Sequence, residues 1–144
     1  MKKVYLILFL LISFNIVNSQ SKEDYIGTWN ETDRLVIGID AHNPYNNIII
    51  YKNGNYKTKS FDKIITQKFN EQSGVWELTE DNKLKLLFGY KDRFEEYEEQ
   101  WDIFVLKDNL LILESKGGVK KEDKLIEEFS AEEMKADIRY KKSK

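Results

Sequence analysis

The chain has no cysteine, one proline and one histidine in 144 residues. Without cysteine, neither a disulfide framework nor a thiolate-bound metal is available. The one histidine, His42, sits in a polar stretch beside Asp40. That is too little for a zinc set of three or four ligands, or for base catalysis without a nucleophile in reach. No G-x-S-x-G, H-E-x-x-H or phosphate-loop glycine pattern occurs, and Asp24, Asp33 and Asp40 lack calcium-loop spacing. Acidic residues abound, but nothing singles out a catalytic pair. The expectation is a protein that is not an enzyme and carries no cofactor or metal.

An excess of basic charge is also missing. There are 23 Lys and Arg against 25 Asp and Glu, a net charge of −2. That balance argues against a nucleic-acid partner, which would require a basic footprint.

A membrane-length apolar run is missing too. The longest, Val4 to Val17, has about fourteen residues where a span needs roughly twenty. Lys2 and Lys3 precede it, and Val17 and Ser19 can sit at −3 and −1 of a cleavage site before Gln20. Residues 1–19 therefore read as a signal peptide, with a retained N-terminal anchor as the alternative. No cysteine follows that could take a lipid. The expected product is exported, to the periplasm or the extracellular space, and holds no membrane contact after cleavage. It is a monomer whose residues 20–144 form a single domain, long enough to bury its own core.

What the sequence has in abundance is a period of two. Leu35, Ile37 and Ile39 share one parity. Ile48-Ile49-Ile50-Tyr51 runs into Asn53-Gly54, and then Tyr56, Thr58 and Ser60 alternate with Lys57 and Lys59. This predicts a hairpin with a type I′ turn. A second hairpin places Trp76 and Leu78 before the turn Glu80-Asp81-Asn82 and Leu84, Leu86 and Phe88 after it. A third turns at Lys107-Asp108-Asn109. Residues 62–69 are a weaker strand candidate. Such closely spaced short strands read as a barrel or sandwich. The tail changes character: Ser130 followed by Glu133 is a capping box, and Ala131, Met134 and Ile138 share a helical stripe. A helix over about 130–142 is expected, after a strand in "KLIEEF".

The order "YIGTWN", "IIIYKNGNYKT", "GVWELTEDNKLKL", "WDIFVLKDNLLIL" resembles the bacterial lipocalin-like domain family over roughly Tyr25 to Glu114. The resemblance implies an all-β fold, an antiparallel up-and-down barrel of about eight short strands. Gly27 and Trp29 would belong to a segment that closes one end. In the wider lipocalin group a basic residue near the C-terminus packs over that tryptophan; here the late arginine is Arg139, inside the expected helix. Two departures are the insert "IDAHNPYNN" and the charged stretch "GYKDRFEEYEEQW".

Eight strands enclose either packed side chains or one small ligand. By parity the candidate lining is Tyr56, Thr58, Ser60, Trp76, Leu78, Leu84, Leu86, Phe88, Tyr97, Trp101, Ile103 and Val105. Glu99 shares the parity of Trp101 and would orient a polar or cationic ligand head; the bland alternative leaves the glutamates solvated on an edge. Two functions follow. One is a binding protein that holds a small apolar or amphipathic ligand inside the barrel. The other is an envelope protein-protein interaction module, an inhibitor or immunity-type partner of a secreted enzyme, with a filled barrel. Its contacts would come from the loop at residues 41–47 and the glutamates at 95–99.

Overall fold

A computed structural model describes residues 20–36, 45–61, 69–91, 96–120, 126–134 and 136–144. The expected signal peptide, His42 and most of the polar insert lie outside the described residues.

Nine antiparallel strands follow one short helix among the described residues. The helix, α1, spans Lys22–Tyr25. The strands are β1 Gly27–Val36, β2 Asn47–Ile50, β3 Asn55–Phe61, β4 Phe69–Leu78, β5 Leu84–Lys91, β6 Glu96–Lys107, β7 Leu110–Lys120, β8 Ile126–Ser130 and β9 Ala136–Lys142. Strands β1 to β7 pair in sequence order; β7 pairs with β9, and β9 returns to β1. Eight strands therefore close into a barrel. The extra strand, β8, pairs with β7 beyond the stretch that β9 occupies: Leu110 to Ile112 face β9, and Ser115 to Val119 face β8.

Three tight turns gather at one end, each for a local reason. Lys52-Asn53-Gly54 is closed by Tyr51 N–H donating to Asn55 O at 2.9 Å, and Gly54 has φ +88°. This is a three-residue loop ending in a left-handed glycine, not the two-residue type I′ turn expected from Asn-Gly. Glu80-Asp81-Asn82 repeats the design, with Asn82 at φ 60° in glycine's place. The β6–β7 turn is the two-residue one: Asp108 and Asn109 both have positive φ.

Inward residues follow the pleat. Ile48 pairs with Thr58, Ile50 with Tyr56, Trp76 with Leu86, and Leu84 with Phe104, all of them buried. Burying each such aliphatic or aromatic side chain contributes about 1.5–3 kcal/mol before chain entropy is counted.

The tail departs from expectation. The Ser130 capping box forms, with the Glu133 carboxylate accepting from Ser130 N–H at 2.8 Å and from its hydroxyl at 2.9 Å. It builds only a turn, and the chain then enters β9 where a helix to 142 was expected. Pairing with β1 and β7 overrides the local helix signal, because Ile138 and Tyr140 alternate into the core at 2% and 1% exposure.

Candidate functional site

The end holding the three turns is sealed. Trp29 is buried and its indole N–H donates to Tyr25 O at 2.8 Å. Lys142 lies over the Trp29 ring, 5.5 Å from its centroid, and donates to Asp24 O at 3.0 Å. A late basic residue thus covers the tryptophan, but it is Lys142 of β9. Arg139 points elsewhere and pairs with Asp137 at 2.9 Å. Tyr25 adds a second seal, its hydroxyl donating to Asn82 O at 2.6 Å. Burial first, and then nearby Asp24 and Asp81, push the Tyr25 hydroxyl up to about 12.

The interior carries its polar groups further from that seal. Leu86 pairs with Asp102, and Asp102 with Lys116, so these three share a face. Leu86 is fully buried, which fixes that face as the inner one. Asp102 is 1% exposed. Its Oδ2 accepts from the Tyr45 hydroxyl at 2.6 Å, and the Lys116 ammonium stands 3.4 Å from Oδ1. Lys116 also lies 5.9 Å from the centroid of the Tyr45 ring. Tyr45 comes from the segment just before β2 and is itself buried. Burial first, and then the Asp102 carboxylate, hold its hydroxyl well above the usual range.

Tyr56 and Thr58 extend this lining from β3. The Tyr56 hydroxyl accepts from Gln72 Nε2 and Thr58 Oγ1 donates to Gln72 O, each at 3.5 Å, the outer limit of a hydrogen bond. Both side chains are almost wholly buried. Burial first raises the Tyr56 hydroxyl above its ordinary value, with Gln72 opposing and Asp102 adding to the rise.

Several expected lining residues meet here. Tyr56, Thr58, Trp76, Leu84 and Leu86 are buried inside, and Leu78 and Phe88 pack against that core. Ser60 is half-buried on the same strand.

Strand β6 is the correction. Its inner face carries Asp102 and Phe104, so Trp101, Ile103, Val105 and Glu99 take the opposite one. Glu99 is exposed and reaches Lys85 at 4.0 Å, not a ligand head. Trp101 pairs with Leu87 and Gly117 on the outside, where the Lys85 ammonium lies 4.7 Å from its ring centroid. Gly117 is required there, since a Cβ would fall 2.5 Å from the indole. The side chain of Tyr97 lies outside the described residues.

Asp102, Tyr45 and Lys116 were not singled out from the sequence. The one available signal was a charge inside an otherwise apolar strand, "WDIFVL", which reads equally well as an outward position. Among the described residues no cluster of three or more His, Cys, Asp or Glu is placed to hold a metal ion. Nor is any helix among them long and apolar enough to cross a membrane.

In comparisons with known proteins, no family model, no curated protein and no solved structure matches the chain.

Proposed function

We infer that this chain is an exported, lipocalin-like binding barrel that holds one small amphipathic molecule, apolar body inward and polar head at Asp102, Tyr45 and Lys116. The reading rests on one observation. The Tyr56 and Thr58 hydroxyls are buried inside the barrel, Tyr56 near enough to Asp102 to feel its charge, and their hydrogen bonds to Gln72 are only marginal. A packed core rarely leaves two hydroxyls so poorly satisfied. A ligand oxygen or nitrogen would complete them. The strand order supports the lipocalin-like reading, as does the basic residue laid over Trp29.

Native mass spectrometry of the protein purified from its own envelope tests the reading. A retained small molecule, removed by mild organic extraction and restored by adding it back, is expected. Its return should change the emission of Trp76, which faces the interior, in a Trp101→Phe background. A protein that carries nothing, and whose Trp76 ignores a broad panel of lipids and aromatics, would sink it.

A second reading, an envelope protein-protein module, draws on the outer surface. Tyr51 and Val75 are exposed at 38% and 53%, beside a concavity of about 560 Å³ that Asn55, Lys57 and Ser73 also line. Val75→Asp separates the two: it should abolish a partner interaction and leave interior binding intact.

A further inference from the structure

We propose that the concavity on the outer face of β3 and β4, about 560 Å³ in volume, is a binding site for an acidic saccharide, a sugar that carries a carboxylate. The site faces away from the barrel interior, so the inference goes beyond the binding reading above. It gives this surface a glycan in place of a protein partner.

Strand register builds the site. Asn55 pairs with Val75 and Lys57 with Ser73, and between them Tyr56 pairs with Gly74. Tyr56 is buried, so the flanking four residues share the outer face as one tile. Tyr51 and Asn53, from the turn after β2, supply the remaining wall. That wall is held in place. Tyr51 O accepts from the Trp76 indole N–H at 2.8 Å and from Gly54 N–H at 3.2 Å, and Tyr51 N–H donates to Asn55 O at 2.9 Å. Asn53 Oδ1 accepts from Asn55 N–H at 3.1 Å, which leaves its amide hydrogens available as donors. A site formed in advance loses little affinity to ordering.

Charge selects the anion. On this outer face Lys59 pairs with Glu71 opposite it at 3.2 Å, and Lys85 with Glu77 opposite it at 3.7 Å. Lys57 stands opposite Ser73 instead, and among the described residues it makes no ion pair. The lining holds no Asp or Glu. A carboxylate would therefore meet an ammonium and no opposing charge.

The other side chains select the sugar. Among the described residues the Tyr51 and Ser73 hydroxyls and the Asn55 carboxamide have no side-chain partner. Hydroxyls and carboxamides both donate and accept, which matches the adjacent hydroxyls of a sugar ring. Tyr51 and Val75 add exposed apolar surface, and a tyrosine face is the negative side of its quadrupole, suited to polarised C–H groups. The volume lies within the range of small-molecule sites, about 300–1,000 Å³. A protein partner fits less well. Protein interface cores are rich in aromatics and poor in charge, whereas here two apolar side chains stand among four polar ones.

The test titrates digalacturonate, maltose and cyclohexanecarboxylate into the isotope-labelled mature chain and follows its amide resonances. Digalacturonate should saturably shift the backbone amides of Asn55, Lys57 and Ser73 and the side-chain amides of Asn53 and Asn55. It should bind about three- to fivefold more tightly than maltose, the worth of one exposed ion pair. Lys57→Gln should erase that difference, and Tyr51→Ala should weaken both sugars. Both positions are exposed, and unchanged resonances in the core confirm that each variant folds.

Maltose binding as tightly as digalacturonate overturns the acidic class. Cyclohexanecarboxylate shifting the same amides as strongly overturns the saccharide. If no probe shifts them, the site falls. A co-purifying protein released by Val75→Asp, with no sugar bound, assigns the surface to a protein partner instead. None of these results decides the interior reading, which native mass spectrometry tests separately.

Discussion

Lys142 and Trp29 form the clasp of this barrel: the ammonium lies 5.5 Å from the indole centroid and is tied at 3.0 Å to Asp24 O. The pair joins the first strand to the ninth and caps the end where the tight turns converge. Lys142→Ala should lower unfolding free energy by about 1–2 kcal/mol, the sum of a cation–π contact and one hydrogen bond. Lys142→Met keeps the apolar stem and should recover part of that. Urea melts of the three proteins measure it, and an alanine variant as stable as wild type would show the clasp to be ornamental.

Asp102→Ala should be costlier than Asp102→Asn. Alanine leaves the Tyr45 hydroxyl without the acceptor it has at 2.6 Å and takes the Asp102 carboxylate away from Lys116, whereas asparagine keeps a carbonyl for Tyr45. Because Lys116 can still reach water, the expected loss for alanine is about 2–3 kcal/mol, below the full penalty for breaking a buried pair. Thermal denaturation checks the order as well as the size.

Stability should fall on the alkaline side. The Tyr25, Tyr45 and Tyr56 hydroxyls are all raised in the folded protein, Tyr25 to about 12. Unfolded tyrosine releases its proton near about 10, so above that the unfolded chain binds fewer protons than the native one. The contribution of these groups is fully present below pH ~10 and is lost as pH rises through their folded values. Urea midpoints should be flat from neutral pH to about 9.5 and drop steeply by pH 11.5. Tyrosinate absorbance should show Tyr25, Tyr45 and Tyr56 titrating late and together with unfolding. A midpoint unchanged at pH 11.5 would contradict the burial of these hydroxyls.

Two glycines should respond differently to alanine. At Gly74 a Cβ would sit 2.1 Å from Leu87 O and 2.8 Å from the Tyr56 ring, so β4 must move away from β5. A loss of about 2–3 kcal/mol or more is expected, as for overpacking against backbone. At Gly54 nothing lies within 4 Å, and only the φ of +88° resists substitution. The loss there should be about 1 kcal/mol. Equal effects would mean that Gly74 is not as closely covered as the barrel geometry requires.

Much of the architecture was legible because its signals are local. Gly54, Asn82 and the pair Asp108-Asn109 announce left-handed turn positions, and Tyr56, Thr58, Leu84 and Leu86 alternate cleanly with lysines. Strand β6 was not legible, because both its parities are apolar. Trp101, Ile103 and Val105 outweigh Phe104 and Leu106 once Asp102 is assumed to face water. Only the register with Leu86 and Lys116 shows that the carboxylate is inside. The tail misled for the opposite reason. Its capping box is real, but strand pairing more than a hundred residues away decided what followed it. Tyr45 could not be placed at all from a polar loop, since nothing nearby in sequence hints at a partner 57 residues on.

The join between β1 and β9 also sets how the molecule must assemble. Asn30 bonds to Ser143 across 113 residues, and Lys142 to Asp24 across 118. Closing a loop of that length costs about 4 kcal/mol in chain entropy, none of it returned until the strands meet. The hairpins β2–β3, β4–β5 and β6–β7 need only short loops and can form in microseconds. The rate-limiting event is therefore the ring closing on itself. Until then β1 and the free edge of β7 are both exposed for pairing with another chain. Folding speed and the tendency to misassemble are set at one seam.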